Sequence, residues 1–122
     1  MPEEIAARAI VFAALVGAGI LMLWLARATA EGRLGRNQFA GIRVPVTMAS
    51  DQAWVAAHRA AKRPTQMAGW CAVCGGVVAL LLPFEAVMVL TLAAAALMVG
   101  FALWGAVIGA RAARERDRHD VP

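Results

Sequence analysis

The sequence predicts an all-α, polytopic membrane protein with three transmembrane helices and a short amphipathic cytoplasmic helix between the first and second. Three observations predict it. Of the 122 residues, 61% are hydrophobic and 16% charged, an apolar share above the ~45–50% usual for a soluble domain. The apolar residues gather in blocks long enough to cross a hydrocarbon layer, and arginines stand at the block ends. Most other basic residues fall in one loop and in the C-terminal tail, and such asymmetry sets orientation in a bilayer.

The first span is placed at residues 9–26, AIVFAALVGAGILMLWLA, between Arg8 and Arg27. An arginine at the bilayer centre costs ~2.5–3.5 kcal/mol on insertion scales, so these two mark its ends. Glu3 and Glu4 precede it where a cleaved signal peptide would carry basic residues, so the block is expected to stay in the protein. The second span is placed at 65–82; its apolar part, 67–82, is short, and Thr65 and Gln66 bring it close to the ~30 Å hydrocarbon thickness. Pro83, Phe84 and Glu85 then interrupt the run, and the third span covers 86–110, ahead of Arg111. A hairpin is favoured over one long helix kinked at Pro83, which would leave Glu85 unpaired in lipid. The tail, 111–122, alternates in sign and reads as a solvated end.

The loop at 27–64 holds Arg27, Arg33, Arg36, Arg43, Arg59, Lys62 and Arg63, and the tail holds Arg111, Arg114, Arg116 and Arg118. Both are therefore expected in the cytoplasm, with the N-terminus and the hairpin turn outside a plasma membrane. Trp24, Trp70 and Trp104 lie near the cytoplasmic boundaries, where an indole buries its ring and keeps its N–H wet.

Several function classes are disfavoured. The net charge of +4 sits beside the spans, where lipid headgroups account for it, so nucleic acid is not an expected partner. No ionisable residue falls inside a span, which argues against a proton-driven pump. Cys71 and Cys74 share a helix face but lie in an apolar block that suppresses thiolate, and read as small packing residues, with palmitoylation the exception. His58 has no second histidine or cysteine at ligand spacing in the loop, and Ser50 lacks an organised base. No metal, cofactor or catalytic residue is expected. Gly105 and Gly109 form a G-x-x-x-G pair suited to close helix packing, against either an internal helix or another chain.

The loop carries the most information. Its first half, with Gly32, Gly35 and Gly41 among arginines, suits turns rather than helix. Pro45 biases Val44 toward extended backbone, after which Thr47 or Ser50 caps a helix over about 48–62 that stops before Pro64. Trp54, Ala57, His58 and Ala61 share one face of it, and Asp51, Arg59, Lys62 and Arg63 lie elsewhere. Gly41 suits a backbone conformation closed to other residues, Arg43 a phosphate or a carbonyl, and Asn37 and Thr47 local backbone bonds. Together these roles favour an architectural cap over the helix ends, anchored by Trp54, over a ligand site.

Asn37, Phe39, Gly41-Ile42-Arg43, Pro45, Thr47, Ser50, Trp54 and His58 resemble the signature of the SdpI family of bacterial membrane proteins, approximately N-x-aromatic-x-G-I-R-T-P-x-T-L-x-S followed by Trp and His four residues apart. The chain departs from it at Val44, Met48 and Ala61. The resemblance covers the loop and the start of the second span; beyond that the helices agree only in order and hydrophobicity. It implies a non-enzymatic protein acting by binding, in immunity to, or signalling of, a membrane-active peptide toxin. The best-known member carries a further multi-span region, and this sequence is expected to be the short module alone. The alternatives are a structural or assembly subunit of an envelope complex and, more weakly, a transport subunit. Expected partners are membrane lipids, a peptide toxin, another membrane protein or a second copy of the chain.

Overall fold

The structure is a computed structural model that describes residues 2–120, excepting the side chains of Asp117, His119 and Asp120; the end of the predicted tail, His119 included, lies outside the described side chains. Among the described residues four helices follow one another: α1 (Pro2–Ala30), α2 (Pro45–Met48), α3 (Asp51–Ala79) and α4 (Phe84–Asp120). Among the described residues there is no strand. Glu3 and Glu4 in the first turn of α1 and Arg27 in its last complement the helix dipole. The helix α3 is the middle of a row, packed along α1 on one side and α4 on the other, while α1 and α4 barely touch.

Among the described residues, two helical segments, Pro2–Ala30 and Phe84–Arg116, are long and apolar enough to cross a membrane. Only 17% and 11% of their most apolar windows are buried inside the protein, so Ile10, Ile20, Leu92 and Leu103 face outward. Water would be a poor solvent for that surface, and lipid a good one.

Small residues set the helix spacing. A Cβ added to Gly19 would stand 2.5 Å from the Gly69 carbonyl oxygen, and one on Gly69 would stand 2.9 Å from that of Gly19, so α1 and α3 meet backbone to backbone. On the other side of α3, Gly75 opposes the Ala94 methyl. Gly105 opposes Pro64 and Ala61, and Gly109 opposes Ala57 and the Ile42 side chain. The G-x-x-x-G pair is thus used internally, against α3 and the loop.

The amphipathic helix expected over about 48–62 and the block expected at 65–82 are one helix in the structure, α3, which runs through Pro64. An interior proline removes a hydrogen bond and costs ~3 kcal/mol in an isolated helix, which is why a stop was expected. Pro64 is buried where Gly105 leaves room, with the added Cβ of Gly105 at 3.2 Å from its ring. The helix continues through the proline where it packs against α4. The helix α3 ends at Ala79, and residues 80–83 turn into α4. Arg8 reaches from α1 to this turn, donating from Nη1 to the carbonyls of Ala79 (2.8 Å) and Leu82 (2.7 Å), with its guanidinium over the Phe84 ring. A cation on the last carbonyls of a helix satisfies them and suits its dipole.

Candidate functional site

The site is built at the end of the row where α1 finishes and α3 begins. Ser50, extended at φ −158°, caps α3 by accepting the Ala53 N–H at 3.0 Å. Thr47 does not cap it. Its buried hydroxyl lies 2.7 Å from the Ile42 carbonyl and 2.9 Å from that of Val44, to which it donates, and it accepts the Val44 N–H at 3.2 Å. Pro45 opens the single turn of α2, Val44 before it is extended (φ −106°, ψ 161°), and Val46 packs on Ala53, Ala57 and Ala113. That turn is short enough to leave no hydrophobic period in the sequence, so only its proline could signal it.

Beyond the cap, Trp54, Ala57, His58 and Ala61 are buried on one face of α3, as their spacing predicts, and Arg59 and Arg63 are exposed. The Trp54 indole N–H donates to the Leu34 carbonyl at 2.9 Å, tying the first half of the loop to the helix. Its ring stacks at a tilt on His58, with centroids 4.2 Å apart. His58 Nε2 lies 2.8 Å from the backbone N–H of Ile42 and must accept from it, so Nδ1 carries the proton and donates to the Trp54 carbonyl at 2.8 Å. Desolvation by burial holds the His58 pKa below its ordinary value, against the raising effect of the bond to the Trp54 carbonyl. The imidazole is therefore a neutral strut between helix and loop, with both nitrogens committed to backbone.

Gly41 makes this approach feasible. Its φ is +102°, and an added Cβ would lie 2.6 Å from Trp54 Cη2 and 2.8 Å from His58 Nε2. A side chain is excluded there twice over, by backbone conformation and by space. Asn37 shapes the preceding turn: its Oδ1 accepts from Phe39 and Ala40, and its Nδ2 donates to the carbonyls of Gly35 and Ala40. Arg43 donates from Nε to the Asn37 carbonyl at 2.9 Å, closing the turn from its far side. Arg36 bridges to α3 through Asp51 and to α2 through the Met48 carbonyl, and Arg59 donates to the Ala30 carbonyl at the end of α1.

Folded this way, residues 41–44 roof a cavity of about 350 Å³ in the gap between α1 and α4. Met22, Leu25, Ala26 and Thr29 of α1 form one wall, Ala102 and Ala106 of α4 the other, and His58 and Thr65 of α3 the floor. The helices α1 and α4, which barely touch, leave this gap on either side of α3's His58 and Thr65. The walls are mostly apolar; among the described residues no acidic residue lines them, and the single charged lining residue is the exposed Arg43. Pockets of ~300–1,000 Å³ with a few convergent polar groups are usual for ligands.

The structure thus gathers Gly41, Ile42, Arg43 and His58 at the cavity, with Asn37, Pro45, Thr47 and Trp54 supporting them and Ser50 outside as the cap. Gly105 and Gly109 bring the α4 wall against α3. Sequence reasoning missed Thr29, Thr65 and the α1 wall, because no local pattern links residues 22–29 to a loop that folds back over them. It also missed Arg8, whose carbonyl partners lie more than 70 positions away. Cys71 is half-buried and Cys74 exposed, so Cys74 faces outward rather than packing in the row.

Comparison with known proteins bears on this arrangement. The model of the SdpI/YfhL protein family matches residues 33–109, a stretch that holds the loop, α2, α3 and most of α4. No curated protein and no solved structure matches the chain significantly.

Proposed function

The chain belongs to the SdpI/YfhL protein family, and we propose that it is a non-enzymatic integral membrane protein that works by binding, through the groove roofed by residues 41–44. The observation that carries this reading is that Gly41, Ile42 and Arg43 line a cavity between α1 and α4. A turn that only closed the helix ends would leave no space behind it. In this reading α1, α4 and the apolar half of α3 cross the membrane, with the arginine-rich loop and the tail in the cytoplasm. The role that family resemblance adds is protection of the cell against a membrane-active peptide.

Cells expressing the chain should survive challenge by a panel of membrane-active peptides better than cells without it. Arg43→Ala, Trp54→Ala and His58→Ala should reduce that survival at equal membrane abundance. Undiminished survival in all three variants would remove the loop from the mechanism. Orientation is tested separately with Cys71→Ala and Cys74→Ala combined with Gln38→Cys, in the exposed loop. A membrane-impermeant maleimide should label Gln38→Cys only after permeabilisation; labelling of intact cells would reverse the topology. An assembly-subunit role gains no support from Gly105 and Gly109, since both turn toward α3.

A further inference from the structure

The groove has a chemical character that names its occupant. Its walls are apolar along Met22, Leu25, Ala102 and Ala106, and its rim carries Arg43, whose Nε alone is engaged among the described residues, by the Asn37 carbonyl. The wall residues stand beside Trp24 and Trp104, which are 49% and 50% exposed. Half-exposed indoles on apolar helices settle at the headgroup level of a bilayer. Arg43 stands at the rim of an apolar slot lined by the same stretches of α1 and α4 that carry these indoles.

The slot measures about 350 Å³ and its lining is mostly apolar. A single hydrocarbon chain suits it, and a guanidinium at the rim suits a phosphate. Resting on the reading of this groove as a binding site, we infer that it seats one acyl chain of an anionic phospholipid, with the lipid phosphate on Arg43. Thr29 and His58 meet the chain without competing for the phosphate. The Thr29 hydroxyl donates to the Leu25 carbonyl, and both His58 nitrogens are bound to backbone.

The full chain, reconstituted in vesicles of equal phosphatidylglycerol and phosphatidylcholine and released into mild detergent, is examined by native mass spectrometry. One phosphatidylglycerol should remain bound, with a preference of about fivefold over phosphatidylcholine, the contribution of one arginine near an anionic surface. Arg43→Gln should abolish the preference and Arg43→Lys should keep part of it. Arg33→Gln, an exposed loop arginine away from the groove, should leave it unchanged, and Ala106→Leu, which fills the slot, should lower retention of both lipids. Melting temperatures of the variants establish that each is folded.

Equal retention of the two lipids by the unaltered chain, or a preference that survives Arg43→Gln, would overturn the inference and mark the lipid as annular. Arg43→Lys losing the preference as fully as Arg43→Gln would also overturn it, by tracing the effect to the Asn37 turn. The peptide-challenge assay separates the two readings. Lost lipid preference in Arg43→Gln with full protection would sustain the lipid site and refute its role in immunity. Lost protection with unchanged lipid preference would do the reverse.

Discussion

Replacing Gly41 by alanine tests whether the loop is locked to α3 as the geometry requires. Two costs act at this position. A non-glycine residue at positive φ loses ~1–2 kcal/mol, and Gly41 has φ +102°. Steric overlap adds to it, because the new Cβ would stand 2.6 Å from Trp54 Cη2 and 2.8 Å from His58 Nε2. Neither ring is free to retreat: Trp54 is held by the Leu34 carbonyl and His58 by Ile42 and the Trp54 carbonyl. Overpacking of this kind costs ~1–3 kcal/mol, giving about 2–5 kcal/mol in all.

Two other glycines separate the components. Gly32 shares the positive φ, at +79°, and has nothing within 4 Å of an added Cβ; Gly35 has neither the conformation nor a neighbour. Unfolding in mixed micelles by increasing fractions of sodium dodecyl sulfate, followed by tryptophan fluorescence, should therefore rank Gly41→Ala well below Gly32→Ala, with Gly35→Ala close to the parent. If Gly41→Ala were no less stable than Gly32→Ala, the contact with Trp54 and His58 would relax without cost and the loop would not be locked.

Other expectations follow from the same contacts. Protonation of His58 at Nε2 removes the acceptor for the Ile42 N–H. Because its pKa is lowered in the fold, the unfolded chain binds the proton more readily, so stability is full above the ordinary histidine value and declines as pH falls through it. The same unfolding titration at pH 8 and pH 5 should show that loss, and His58→Phe should remove most of the pH dependence. Arg8→Gln should cost about 2 kcal/mol through its part-buried bonds to the Ala79 and Leu82 carbonyls. It should also speed amide exchange at residues 80–82; unchanged exchange would argue against the closure of that turn by Arg8. Gly109→Ala would press a methyl to 2.9 Å from the Ala57 carbonyl oxygen and 2.8 Å from Ile42 Cδ1, so the monomer should lose stability. Light scattering in detergent should give the same oligomeric mass for Gly109→Ala as for the parent, since the pair faces inward.

The sequence alone determined the all-helical character, the positions of the apolar segments and the buried face of Trp54, Ala57, His58 and Ala61. Each of these is written in residues three or four positions apart, or in a run without charge, and needs no distant partner to be read. The conformational demand on Gly41 and the bend at Val44 were legible for the same reason. Tertiary structure decided what depends on contacts between distant segments: the passage of α3 through Pro64, the inward use of Gly105 and Gly109, and the hold of Arg8 on the hairpin. It also brought residues 41–44 over a cavity between α1 and α4. That cavity lies where α1 and α4, which barely touch, flank α3, and the gap between two helices is a property of their packing that neither helix's own sequence records.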